Sequence, residues 1–197
     1  MDTWYSLDFR PAIGEFPTTC QDGSSNSRYI MTLQGQRVQA SRYTLIPRTL
    51  SFLVRQDSVL LIQIPEDRGA WSGRLNGIGG HIEQGEDPLS SALREIREET
   101  GLEPVDLKLC GVVIVDTGTK PGIGLYVFVG GAGDNKPQAS LEGSPTWIPQ
   151  SKLESYQLVE DIPILLPRAL QSYDTGVPFS AFYQYDENDQ LVVKLLP

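Results

Sequence analysis

The segment from 79 to 102, GGHIEQGEDPLSSALREIREETGL, constrains the fold more than any other part of the chain. It sets five glutamates and two arginines among Leu, Ala and Ile at helical spacing. Asp87 can cap a first helical turn, Pro88 suits the first helical position, and Gly101 stands where a helix stops. On a helical wheel Leu89, Ala92, Leu93 and Ile96 share an arc of roughly 100°, the predicted core face. Glu95, Glu98 and Glu99 share an adjacent arc. Like charges at this spacing repel by a few tenths of a kcal/mol per pair. Hard divalent cations such as Mg²⁺ and Mn²⁺ take oxygen ligands, and one bound here would turn repulsion into attraction. The competing explanation is a solvated face on which Arg94 and Arg97 offset the acids, with Arg94 and Glu98 at i,i+4.

The spacing separates the two. Gly80, Glu86, Arg94, Glu95, Ile96, Glu98, Glu99, Gly101 and Leu102 follow G-x5-E-x7-R-E-U-x-E-E-x-G-U, with U aliphatic. In full, this resembles the box of the Nudix hydrolases. The resemblance implies an α/β (α+β) fold, the Nudix-type α/β/α sandwich with a mixed β-sheet. It also implies Mg²⁺- or Mn²⁺-dependent hydrolysis of a nucleoside diphosphate linked to a further moiety. Carried onto this chain, Glu98 and Glu99 are expected as metal ligands, joined by the main-chain carbonyl of Gly79. Glu95 is expected as a further ligand or as the base that takes the water's proton. Arg94 and Glu86 correspond to the pair that orients these acids. Gly80 and Gly85 would let the loop fold under the helix N-terminus.

Weaker matches lie outside the box. LEGSPTW is similar to a segment of purine-triphosphate-cleaving members that brings a further glutamate to the metals, here Glu142. RGAWSGRLNGIGG resembles a loop of the MutT-type and mammalian oxidised-purine triphosphatases. There Asn76 matches an amide that pairs with the purine edge, since an amide offers both donor and acceptor. An Asn before Gly is also ordinary turn chemistry. Asp161 stands where that subgroup places an acid reading the base; it can equally be a helix N-terminal acid on the dipole. Arg68 and Arg74 are candidates for phosphates, and Trp71 for a stacking face. Two departures from the subgroup bear on oxidised-purine specificity. Asp67 occupies the place of a basic loop residue, and Leu158 and Val159 occupy that of a tryptophan. His81, the only histidine, has no second His or Cys nearby to make a zinc site, and is expected in a structural or phosphate-side role.

Along the rest of the chain, TLSFLVRQDSVLLIQI predicts two strands joined at RQDS, and PEDRGAWSGRLNG a Gly-rich loop. Strands are expected at LKLCGVVIVD, GIGLYVFVG and PTWIP. EDIPILLPRALQSY predicts a second helix that Pro167 should bend or break. AFYQYDENDQLVVKLL predicts a closing hairpin. Strands before and after a central helix, without strict alternation, imply a mixed sheet flanked by helices. The domain is expected over 43–197. Residues 1–42 form an N-terminal extension, either a disordered arm or a segment packed on the body or on a second subunit.

At 197 residues the chain suits one domain with an appendage. Its net charge of −9 argues against long nucleic acid as a partner and leaves a small-molecule nucleotide open. No apolar run reaches the roughly 18 residues of a membrane span. Two distant cysteines, Cys20 and Cys110, and no basic, apolar leader predict a reduced, cytoplasmic protein, monomer or homodimer, with Cys110 in the core. The expected activity is cleavage of (deoxy)nucleoside triphosphates, oxidised purines such as 8-oxo-dGTP included, to monophosphate and diphosphate. The alternatives are an ADP-ribose or nucleotide-sugar diphosphatase and a non-catalytic nucleotide sensor.

Overall fold

The computed structural model describes residues 42–196, so all but Arg42 of the arm expected over 1–42 lies outside the described residues. Eight strands form one mixed sheet: β1 (Leu45–Arg55), β2 (Ser58–Gln63), β3 (Leu75–Asn76), β4 (Pro104–Asp116), β5 (Gly122–Ala132), β6 (Ser144–Pro149), β7 (Phe179–Tyr185) and β8 (Leu191–Leu196). The path runs β3-β2-β1-β5-β4-β7-β8, with β6 also on β2. β1 pairs with β5 and β4 with β7 in parallel; the other pairs are antiparallel.

Both faces of the sheet are covered, and the period of two in the strands shows it. Phe52, Val59 and Leu61 point into one core with Ile162, Leu165 and Ala169 of helix α2 (Ile162–Thr175). Their neighbours Leu53, Leu60 and Ile62 point the other way, onto Ile96 of helix α1 (Pro88–Thr100) and Leu102. This is the expected α/β/α sandwich. Cys110 is buried, as expected.

α1 has the predicted ends. The Asp87 carboxylate accepts from the N–H groups of Leu89 and Ser90 at 2.9 and 3.0 Å, and Gly101 closes the helix in the left-handed region with φ 68°. Its buried face differs from the wheel. Leu89 is exposed and Leu93 half-buried, whereas Ser91, Ala92, Glu95, Ile96, Glu99 and Thr100 are buried. The helix is turned so that two of its carboxylates join Ile96 on the docking face.

Three further expectations are corrected. α2 continues through Pro167 as one helix, so of the expected bend or break the break does not occur. The bond Pro167 cannot make would go to the carbonyl of Pro163, in the first turn; both prolines are exposed, so water can meet that carbonyl. β4 begins at Pro104, three residues before the predicted LKLCGVVIVD, because an irregular register around Asp106 hides the alternation. Within the predicted loop, Leu75 and Asn76 form a two-residue strand on β2, too short to leave a periodic signal.

Ile96→Ala should lower stability by about 2–5 kcal/mol, since its side chain is fully buried. Asp87→Ala, which removes only the cap, should cost about 1 kcal/mol. Urea unfolding with an unchanged slope reads both.

Candidate active site

The segment before α1 runs alongside β1 as if it were a further strand. Ser51 and Ile78 exchange both backbone hydrogen bonds, at 2.6 and 3.0 Å, and the Thr49 N–H donates to the Gly80 carbonyl at 2.9 Å. This fixes Gly79 and Gly80 beneath α1. A Cβ on Gly79 would overlap the Thr49 carbonyl, and a Cβ on Gly80 would overlap the Glu95 carboxylate. Two glycines are thus required for different reasons, one by β1 and one by the helix.

Onto this floor α1 lowers Glu95 and Glu99, which are 8% and 4% exposed. Glu99 Oε1 accepts from the Gly79 N–H at 3.1 Å. Burial pushes the Glu99 carboxyl up to about 8, against that hydrogen bond and with help from Glu95, Glu142 and Glu98. Burial also raises Glu95, opposed by Arg94 and reinforced by Glu98 and Glu142. Glu142 is exposed, yet close enough for its charge to reach both.

Arg94 gathers the remaining groups. It donates to both oxygens of Glu86 at 2.7 and 2.9 Å, to Glu95 at 2.8 Å and to Glu98 at 3.1 Å. Its third nitrogen also reaches the His81 carbonyl at 3.1 Å. Hydrogen bonds from Arg94 hold Glu86 down at about 2. Glu98 is exposed and turned to Arg94, so no three acidic, His or Cys side chains converge into a ligand cage among the described residues. The buried pair Glu95 and Glu99 is the acidic nucleus of the site, and Glu98 and Glu142 stand at its rim.

Gly79 and Gly80 also border a cavity of about 250 Å³. Asn76, Trp71 and Asp161 line it, as do Val159, Tyr183 and Tyr185. Asn76 lies in β3 rather than in a turn; its Oδ1 accepts from the Gly77 N–H at 2.8 Å, and it lines the cavity. Asp161 sits at the N-cap of α2 without a side-chain cap hydrogen bond. Burial pushes it up to about 6, with Glu160 adding to the rise. Trp71, 39% exposed, stands at the rim. Arg68 and Arg74 are not lining residues. The Arg68 guanidinium donates instead to the Leu141 carbonyl at 3.0 Å, tying the Gly-rich loop to the segment of Glu142. His81 accepts from Arg48 Nε at 3.2 Å, across β1.

Sequence reasoning did not name Tyr183 and Tyr185. The alternation in AFYQY puts them on one face of β7, but only the parallel pairing of β7 with β4 brings that face to the cavity. The Tyr185 hydroxyl donates to Glu160 at 2.8 Å.

Residues 45–168 match the family described as NUDIX domain. The chain is also similar to curated proteins named "Oxidized purine nucleoside triphosphate hydrolase". It is 28% identical to that of Danio rerio over 145 residues, spanning 73% of this chain and 89% of the relative. Against that of Mus musculus the figures are 26% over 151 residues, 76% and 90%. Among solved structures, the MutT protein from Bacillus halodurans superposes with a TM-score of 0.64 at 24% identity, covering 77% of this chain and 97% of that one. The NUDIX domain of Shewanella oneidensis NrtR, complexed with ADP ribose, gives 0.59 at 17%, covering 72% and 96%. At these identities the structural likeness speaks for the fold alone. Among the described residues no helix is long and apolar enough to cross a membrane.

Gly79→Ala meets backbone and should destabilise the protein by about 1–3 kcal/mol. Gly80→Ala meets a side-chain end and should displace Glu95 at a smaller cost, a contrast that paired thermal melts would register. The pH dependence follows from the raised carboxyls. Glu99 above its ordinary 4.5 favours the folded state fully while protonated, and that contribution is lost as pH rises to about 8. Asp161, raised from 3.8 to about 6, acts in the same sense. Melts in chelator should therefore show stability falling across this window, and the Glu99→Gln variant should show a flatter profile.

Proposed function

Because this chain belongs to the Nudix family of hydrolases, we propose that it cleaves (deoxy)nucleoside triphosphates, purines first and oxidised purines such as 8-oxo-dGTP among them, to monophosphate and diphosphate. One observation carries this reading: Gly79 and Gly80 border both the buried carboxylates and the cavity of Asn76 and Asp161. A nucleotide spanning that boundary has its base in the cavity and its phosphates over the acids. The relatives named as oxidised purine nucleoside triphosphate hydrolases support the same choice. We assign the hydrolase domain to 43–197, with 1–42 as an N-terminal extension or arm.

The donor set fits a hard divalent cation. Glu99 is a buried carboxyl that accepts a hydrogen bond from the Gly79 N–H and lies among other acids, with no Lys or Arg side chain paired to it among the described residues. Glu95, Glu98, Glu99 and the Gly79 carbonyl would hold Mg²⁺ or Mn²⁺, with Glu142 at the rim. When bound, such an ion would neutralise phosphate charge and lower the pKa of an attacking water. The chain's own residues do the rest. Arg94, itself anchored by Glu86, fixes one oxygen of Glu95 and leaves the other to join the ligands or take the water's proton. The Asn76 amide keeps its Oδ1 on Gly77 and has its N–H₂ to offer a base, while Asp161 accepts from one. Trp71 offers a stacking face at the mouth, and Arg74 and Arg68 are positive charge on the loop beside it.

Product analysis with Mg²⁺ and a panel of dGTP, 8-oxo-dGTP, the other triphosphates, ADP-ribose and a nucleotide sugar tests the reading. Monophosphate plus diphosphate from purine triphosphates is expected. Cleavage of ADP-ribose alone would sink it, and no turnover at all would favour a sensor. Glu99→Gln should lose turnover by orders of magnitude while staying folded.

A further inference from the structure

Tyr183 is 2% exposed, and its hydroxyl has no hydrogen-bond partner. Buried hydroxyls in native proteins are nearly always paired, so an orphan calls for an explanation. Two of the six unpaired buried side-chain atoms among the described residues, Thr49 Oγ1 and Tyr183 Oη, belong to residues lining the cavity at Gly79 and Gly80. β7 places Tyr183 against Val115 of β4, itself a lining residue, and near enough to Asp161 for that charge to act on the phenol. The rest of the lining is largely apolar, with Asn76 and Tyr185 polar, Glu160 and Asp161 acidic, and Arg48 its one basic residue. It suits an uncharged, flat group carrying N–H donors and a neighbouring acceptor, and it does not suit a phosphate.

We infer that Tyr183 is a specificity-determining residue: its hydroxyl donates to an acceptor on a purine base, beside an N–H that Asp161 accepts. This rests on the cavity being the base site of the proposed function. The Tyr183 hydroxyl is thus an unmet donor among the lining residues, one that a two-ring base has the length to reach. A pyrimidine, one ring shorter, leaves it unmet.

The test is Tyr183→Phe, which keeps the ring and removes the orphan atom. Calorimetric titration of purine and pyrimidine nucleoside monophosphates, in chelator, measures base binding without turnover. Wild type should prefer the purine; the variant should bind it about ten- to a hundredfold more weakly and the pyrimidine equally well. The variant should also melt roughly 2–4 °C higher without ligand. Gain of stability with loss of purine affinity is a pair that a merely structural hydroxyl would not produce. Unchanged purine affinity, or equal losses for both bases, overturns the assignment. Because no hydrolysis is involved, its failure is separate from failure of the substrate reading, which the product panel decides.

Discussion

The site depends on burying two carboxylates in the face by which a helix docks on its sheet. Glu95 and Glu99 occupy positions that α1 could have given to apolar side chains. Removing an unpaired carboxylate from water costs several kcal/mol, and the group responds by holding its proton or finding a cation. The floor beneath them is bare backbone at Gly79 and Gly80, held along β1 as part of the sheet. A side chain on either residue would take up the space the acids or β1 need. Core packing and the gathering of the acids are consequently the same contact.

Arg94 keeps that contact in register. Its guanidinium is planar and presents five N–H donors in a fixed fork, and here they meet Glu86, Glu95, Glu98, Ser91 and the His81 carbonyl. Lysine has a comparable charge but no fork, and could not bind two edges of Glu86 while holding Glu95. Beside the Glu99–Gly79 hydrogen bond, this one side chain joins the loop before α1 to the acids on α1. The hydrogen bonds that hold Glu86 ionised and Arg94 protonated also fix the direction of Glu95.

Much of this was legible in the sequence, because α1 announces itself locally. Asp87, Pro88 and Gly101 mark its ends by capping chemistry that operates within a few residues. The spacing of Glu86, Arg94, Glu95, Glu98 and Glu99 marks the acidic cluster. The rotation of the helix was not legible. A wheel ranks faces by hydropathy, and it could not foresee that a glycine floor would admit Glu95 and Glu99 where Leu89 was expected. The cavity was half legible. Asn76, Trp71 and Asp161 sit in stretches with a motif, whereas Tyr183 and Tyr185 reach it through strand order, which no local pattern encodes. Arg68 bore a plausible charge, and the structure directs it to the Leu141 carbonyl.

The parallel pairing of β4 with β7 has a consequence for how the molecule is made. Gly111 meets Phe179, and Val115 meets Tyr183, across a long interval of chain. Ribosomal synthesis delivers the N-terminal part first, and loop-closure entropy delays contacts of wide sequence separation. The glycine floor, α1 and the strands β1, β2, β4 and β5 are all available once Ala132 has emerged. Tyr183, Tyr185 and Leu191 come last and close the far wall. Growth of the chain therefore presents Glu95 and Glu99 before the cavity wall of Tyr183, Tyr185 and Leu191 can close over its side of the sheet.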